Sequence, residues 1–193
     1  MEQGGSRADP AEAARHVARL RATSFLVLVV GGLIAGLGST LPWATSRPFG
    51  LPTRGTDTVF GIVALGAAIV AILAALLMRA GKAHRGRKSM VVLALAAGIV
   101  VAAAAGGTAA AGPDTLSERA DRKQAEEYAR SHKLPVAEYM KRWEAAVTHE
   151  LQPGIWITLA GGILIVAGGA LSVSWARAAA RAEPQEPEPP AAG

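Results

Sequence analysis

At 193 residues the chain has room for one or two soluble domains, but 51% of it is apolar, its mean hydropathy is positive at +0.28, and its charges are gathered into blocks. It has no cysteine, which excludes a disulfide framework, thiol redox chemistry and most structural zinc sites. The net charge of +5 is small and lies beside apolar stretches, so it points to membrane topology and away from nucleic acid.

Residues 1–23 are polar and carry Arg7, Arg15, Arg19 and Arg21. Asp9-Pro10-Ala11-Glu12 reads as a helix start, with Asp9 as N-cap and Pro10 at the first helical position. Four runs without an ionisable side chain follow: Ser24–Trp43, Val59–Met78, Met90–Ala111 and Gly154–Ala176. At a rise of about 1.5 Å per residue, each is long enough to cross a hydrocarbon layer about 30 Å thick. A cleaved signal peptide is the competing reading of residues 1–43. The apolar stretch is long for that, and Leu41-Pro42-Trp43-Ala44 makes a poor cleavage sequence.

The loop Ala44–Thr58 is rich in Pro and Gly. In it, Gly55-Thr56-Asp57-Thr58 suits capping of the second span by Asp57 or Thr58, with Asp57 as a ligand or partner contact the alternative. A basic turn with Arg79, Lys82, His84, Arg85, Arg87 and Lys88 joins spans two and three. The positive-inside rule puts this turn, the N-terminus and the tail in the cytoplasm. Gly112–Pro153 carries seven basic residues but also eight acidic ones, and its last basic residue, Arg142, stands well before span four. Trp43, Phe60 and Trp156 fall at outer span ends, and Phe25 and Trp175 at inner ends, as an aromatic belt requires.

Inside the spans small residues recur: Gly32 and Gly36 in a G-x-x-x-G, Gly161 and Gly168 seven apart, and an Ala- and Gly-rich third span. Such residues let helix backbones approach closely, either inside a bundle or in a dimer. The polar residues of the spans are Ser and Thr, such as Ser39, Thr40, Thr108, Thr158 and Ser172. Proton-coupled transport needs an ionisable group at membrane depth. Small four-helix multidrug transporters would be expected to show an acidic residue in the first span, and none is present.

The segment 112–153 reads as a helical hairpin. Thr115-Leu116-Ser117-Glu118 resembles a capping box opening a helix to about His132, along which Glu118, Arg122, Glu126 and Arg130 alternate in sign, with Lys123 pairing Glu127. That helix shows no apolar stripe. A second helix starts at Pro135, where Val136, Tyr139, Met140, Trp143, Val147 and Leu151 form a stripe about 120° wide. It is the candidate surface for the outer leaflet, for the ends of the spans, or for a partner. His16, His84, His132 and His149 stand apart, and no metal or phosphate motif is present. His149-Glu150 near Glu144 is the one conceivable acid–base group. From Arg177 the tail is rich in Pro and Glu, a composition of disordered segments.

Leu41-Pro42-Trp43, Gly55-Thr56-Asp57-Thr58 with Gly61, and Gly161-Gly162 in span four resemble small four-helix membrane proteins of actinobacteria, among them the tryptophan-operon-associated transmembrane protein family. The resemblance covers mainly spans one, two and four and is compositional as much as motif-based; the charged helix pair departs from it. It implies a plasma-membrane location and no assigned reaction, and it carries over no catalytic residue.

The expectation is therefore an all-α membrane protein: a cytoplasmic segment 1–23, transmembrane helices one to three over 24–111, an extracytoplasmic helical hairpin at 112–153, a fourth span at 154–176 and a disordered cytoplasmic tail at 177–193. The Ala, Gly and Arg bias fits a high-GC bacterium. The functional expectation is a non-enzymatic accessory or interaction protein of the cell membrane, without cofactor, metal or nucleic acid. Its partners would be the bilayer, another membrane or envelope protein, or a second copy. The alternative is a component of a small oligomeric transporter or channel; an enzyme acting on lipid or envelope precursors would have only Asp57 and Glu150 to work with.

Overall fold

A computed structural model describes residues 10–47, 51–80, 87–112, 114–146 and 148–182. The chain is mostly helical. Four helices are long and apolar enough to cross a membrane: α1 (Pro10–Thr40), α2 (Val59–Arg79), α3 (Arg87–Ala111) and α6 (Pro153–Ala182). Between α3 and α6 lie α4 (Asp114–Ser131) and α5 (Val136–Ala146). Three short strands, β1 (Pro42–Arg47), β2 (Leu51–Arg54) and β3 (Thr148–Leu151), complete the fold.

The four long helices form a ring in which α1 touches α2 and α6, and α3 touches α2 and α6. What fills the centre is small: Ala64, Ala68, Ala71, Ala74, Ala94, Ala97 and Ala104 are buried, with Leu28, Val101 and Ile165 between them. What faces outward is large, including Leu26, Leu33, Leu37, Ile62, Leu73, Val92, Ile99 and Ile163, all more than half exposed except as the bilayer would cover them. A water-soluble bundle sorts the other way, with large apolar side chains inside. In lipid the tails match the outer leucines, and small residues in the centre bring backbones into van der Waals contact. These features are those of a multi-pass membrane protein.

α6 is the hub of this packing. Ala160-Gly161-Gly162 recurs seven residues later as Ala167-Gly168-Gly169. The first glycine of each pair faces α1, Gly161 against Ala35 and Gly168 against Leu28. The second faces α3, Gly162 against Ala102 and Gly169 against Leu95. From α1, Gly31 and Gly38 return the contact to Ile165 and Thr158. A seven-residue repeat keeps one seam aligned with a neighbouring antiparallel helix, and two adjacent seams let α6 join two neighbours at once.

Several sequence expectations change here. The first span does not run to Trp43: α1 stops at Thr40, Leu41 N–H closes onto the Gly38 carbonyl at 3.2 Å, and Pro42 opens a strand. The all-α expectation is corrected by a three-stranded antiparallel sheet in the order β2-β1-β3. The second hairpin helix ends at Ala146, and Leu151 lies in β3 paired with Ala44. The sheet escaped notice because its strands are short and partly polar, and β3 comes from a loop far along the chain from its partner. α6 also starts one residue earlier and runs six residues further than the fourth span. Asp9, the residues Lys82, His84 and Arg85, Val147 and the tail beyond Ala182 lie outside the described residues.

Candidate interaction surface

The sheet and the α4–α5 pair stand together at one end of the bundle, beyond the last turn of α1 and the first turns of α2 and α6. β1 anchors this head. Trp43 is fully buried beside Ala105 and Ile155, and its indole Nε1–H donates to the Gly38 carbonyl at 3.1 Å. Trp43 is thus a core residue and not the headgroup-level anchor expected from its position. An indole at a span end satisfies either role, and only the fold decides between them. Trp175 is likewise buried, whereas Trp156 is half exposed. Gln152 N–H donates to the Trp43 carbonyl at 2.8 Å and Gly55 N–H to the Leu41 carbonyl at 3.1 Å, so both loops at this end of the bundle are tied to the short segment Leu41–Trp43.

The compact motif of the first loop is a capping device. Thr58 Oγ1 accepts from Gly61 N–H at 3.0 Å and donates to the Gly55 carbonyl at 2.8 Å, which starts α2. Asp57 Oδ2 accepts from Arg54 N–H at 2.9 Å, closing the 3-10 turn at Gly55–Asp57.

The apolar stripe of α5 is covered from within the head. Met140 and Trp143 are each 7% exposed and pack on Ala125 of α4, with Val136 and Tyr139 half-buried alongside. Ala125 and Ala129 form the small apolar face of α4 that sequence reading missed, since Ala adds little to a hydrophobic pattern dominated by charges. Ion pairs lace the outside: Arg122 to Glu126 at 3.7 Å, Arg130 to Glu126 at 3.6 Å, and Arg122 across to Glu144 at 3.8 Å. These are exposed and contribute little each.

The acid–base grouping of His149, Glu150 and Glu144 is not assembled. Glu150 reaches Arg47 across the β1–β3 pair at 3.0 Å while Glu144 turns to Arg122, and His149 sits opposite Ser46. Among the described residues, no three His, Asp or Glu side chains converge as metal ligands would.

An aromatic group at the hairpin turn takes their place. Tyr128 is 48% exposed and stacks on His132 at 4.0 Å and near Tyr139 at 5.8 Å. His132 Nδ1 lies 3.0 Å from both the Tyr128 carbonyl and the Ser131 hydroxyl, which hold the ring over the last turn of α4. Leu134, also exposed, follows directly. Sequence reading passed over Tyr128 because it falls on the charged helix, yet its spacing of four from His132 was the available signal. Comparisons with protein-family models, with curated proteins and with solved structures find no match.

Among the predicted packing residues, Gly32 meets Ile72 of α2, and Gly36 faces Leu65 more loosely at 3.7 Å. Gly161 and Gly168 pack on α1, as described above.

Proposed function

We propose that this chain is a non-enzymatic membrane-anchored interaction protein of the bacterial plasma membrane. Four spans hold a folded head outside the cell, and that head presents Tyr128, His132 and Leu134 to another membrane or envelope protein. The observation that carries the reading is the exposed aromatic stack on a head locked to the bundle through Trp43. Exposed tyrosines supply large contact area at small entropic cost, which is why interfaces use them. The spans add support. Their buried hydroxyls are spent on their own helices, Ser39 on Ala35, Thr158 on Gly154 and Ser172 on Gly168, each at 2.9 Å, so none is aimed into a path for a polar solute. Under this reading the basic ends of α1, α2 and α6 face the cytoplasm, as the positive-inside rule requires.

The chain has no cysteine, so single cysteines report orientation cleanly. In intact cells an impermeant maleimide should label Lys133→Cys and leave Ala80→Cys untouched until the membrane is opened. A photo-cross-linking residue at Tyr128 should then give one discrete adduct in those cells, absent when the same group is placed at Ala145. Labelling of Ala80→Cys from outside would overturn the orientation. Equal adducts at both positions, or none, would reduce the head to a structural cap.

A further inference from the structure

Among the described residues, the end of the bundle opposite the head is not closed. A cavity of about 640 Å³ opens there between α1, α2 and α6. Its walls are apolar, formed by Phe25, Leu28, Met78 and Trp175 among alanines, and two guanidinium groups stand in its lining, Arg21 and Arg79. No carboxylate is among the described residues that line it. Arg21 crosses from α1 to the last turn of α2, where Nη2 donates to the Arg79 carbonyl at 2.9 Å, and its guanidinium lies 5.6 Å from the centre of the Trp175 ring. Arg79 in turn covers the Phe25 ring at 4.6 Å. The arginines are thus held by one face each, on an aromatic ring or a helix end. A guanidinium has five N–H donors, and Arg21 commits one nitrogen to carbonyls.

The depth of the site is set by the sequence. Arg21 stands just before the apolar run of α1, and Arg79 just after that of α2. Both therefore lie where hydrocarbon gives way to headgroups, with the apolar walls reaching inward from them. A free anion would satisfy the arginines but leave those walls wet. An amphiphile with a phosphate at one end and an acyl chain at the other matches both parts, and the volume falls within the usual range of ligand pockets. Basic pockets between membrane helices take anionic lipid headgroups for this reason.

We infer that this cavity is a binding site for one anionic glycerophospholipid, its phosphate between Arg21 and Arg79 and an acyl chain along Phe25, Met78 and the edge of Trp175. The inference requires the protein to be in a bilayer, but not the partner proposed for the head.

The test uses the full chain, delipidated in a neutral detergent and titrated with phosphatidylglycerol or with phosphatidylcholine of the same acyl chains, read by native mass spectrometry. One phosphatidylglycerol should be retained at a concentration at least ten-fold lower than phosphatidylcholine, and inorganic phosphate should not displace it. Arg21→Gln with Arg79→Gln should abolish the preference. Because Arg21 also ties α1 to α2, a second variant keeps both charges: Ala18→Trp fills the cavity from the exposed side of α1 and should also lose the lipid. Leu73→Trp, on the outer face of α2, should retain it. Equal retention of the two lipids, a preference that survives Ala18→Trp, or displacement by inorganic phosphate would each overturn the site. A lipid-free dimer blocked by Ala18→Trp would do the same, giving the cavity to a second copy.

Discussion

Gly161 of α6 lies directly on the backbone of Ala35 in α1: a Cβ built on the glycine would stand 2.7 Å from the Ala35 Cα. Gly168 meets Leu28 in the same way one heptad on, so at these two positions the α1–α6 seam has no room for a side chain on α6. Gly161→Leu should force the helices apart and cost roughly 1–3 kcal/mol, the usual penalty for overpacking. Gly66→Ala, with open space around it, should be neutral or add up to about 1 kcal/mol through helix propensity. Thermal unfolding in detergent separates the two; equal melting temperatures would contradict the seam.

The loop motif at Gly55 makes a second test. A Cβ on Gly55 would stand 2.6 Å from Trp43 Nε1, the atom that donates to the Gly38 carbonyl. Gly55→Ala should displace the indole and loosen the head. Thr58→Ala should cost about 1 kcal/mol by uncapping α2 without touching Trp43. The readout is the fluorescence of a variant with Trp43 as sole tryptophan, which should shift to the red for Gly55→Ala and not for Thr58→Ala.

α4 ends with Lys133 at φ 54°, a left-handed residue where glycine is usual, and Leu134 N–H returns to the Ala129 carbonyl at 2.8 Å. A non-glycine residue pays about 1 kcal/mol in this conformation. Lys133→Gly should therefore stabilise the hairpin by up to about that amount, seen as slower amide exchange along α4 and α5. Faster exchange would mean that the lysine side chain contributes more than its backbone costs.

The bundle was legible because its signals are one-dimensional. Charge-free runs mark the spans, and Gly161 with Gly168 marks a seam by its spacing of seven. The head was not legible, because its signals are joint properties of distant segments. Thr148–Leu151 is strand only because Ala44–Arg47 lies beside it. Trp43 is core only because Gly55, Ala105 and Ile155 surround it. Ala125 and Ala129 matter only once Trp143 is placed against them. Each of these residues, taken in its own window, fits a second role equally well.

Trp143 decides what covers the one apolar stripe outside the spans. Its 7% exposure and its contacts with Ala125 and Met140 put it inside the hairpin, not on lipid. A buried tryptophan replaced by alanine leaves a cavity that costs about 3–5 kcal/mol, and the buried residues described on α4, Ala125 and Ala129, are too small to collapse into it. Trp143→Ala should therefore unfold α4 and α5 locally while the spans, which share no buried cluster with it, keep their melting temperature. With Trp43, Trp156 and Trp175 changed to Phe, emission from Trp143 should resist both an aqueous quencher and a lipid-attached one. Quenching from the lipid side would place the stripe on the membrane surface, and quenching from water alone would open the hairpin; either result would remove the α4–α5 packing that brings Tyr139 to the exposed Tyr128 ring.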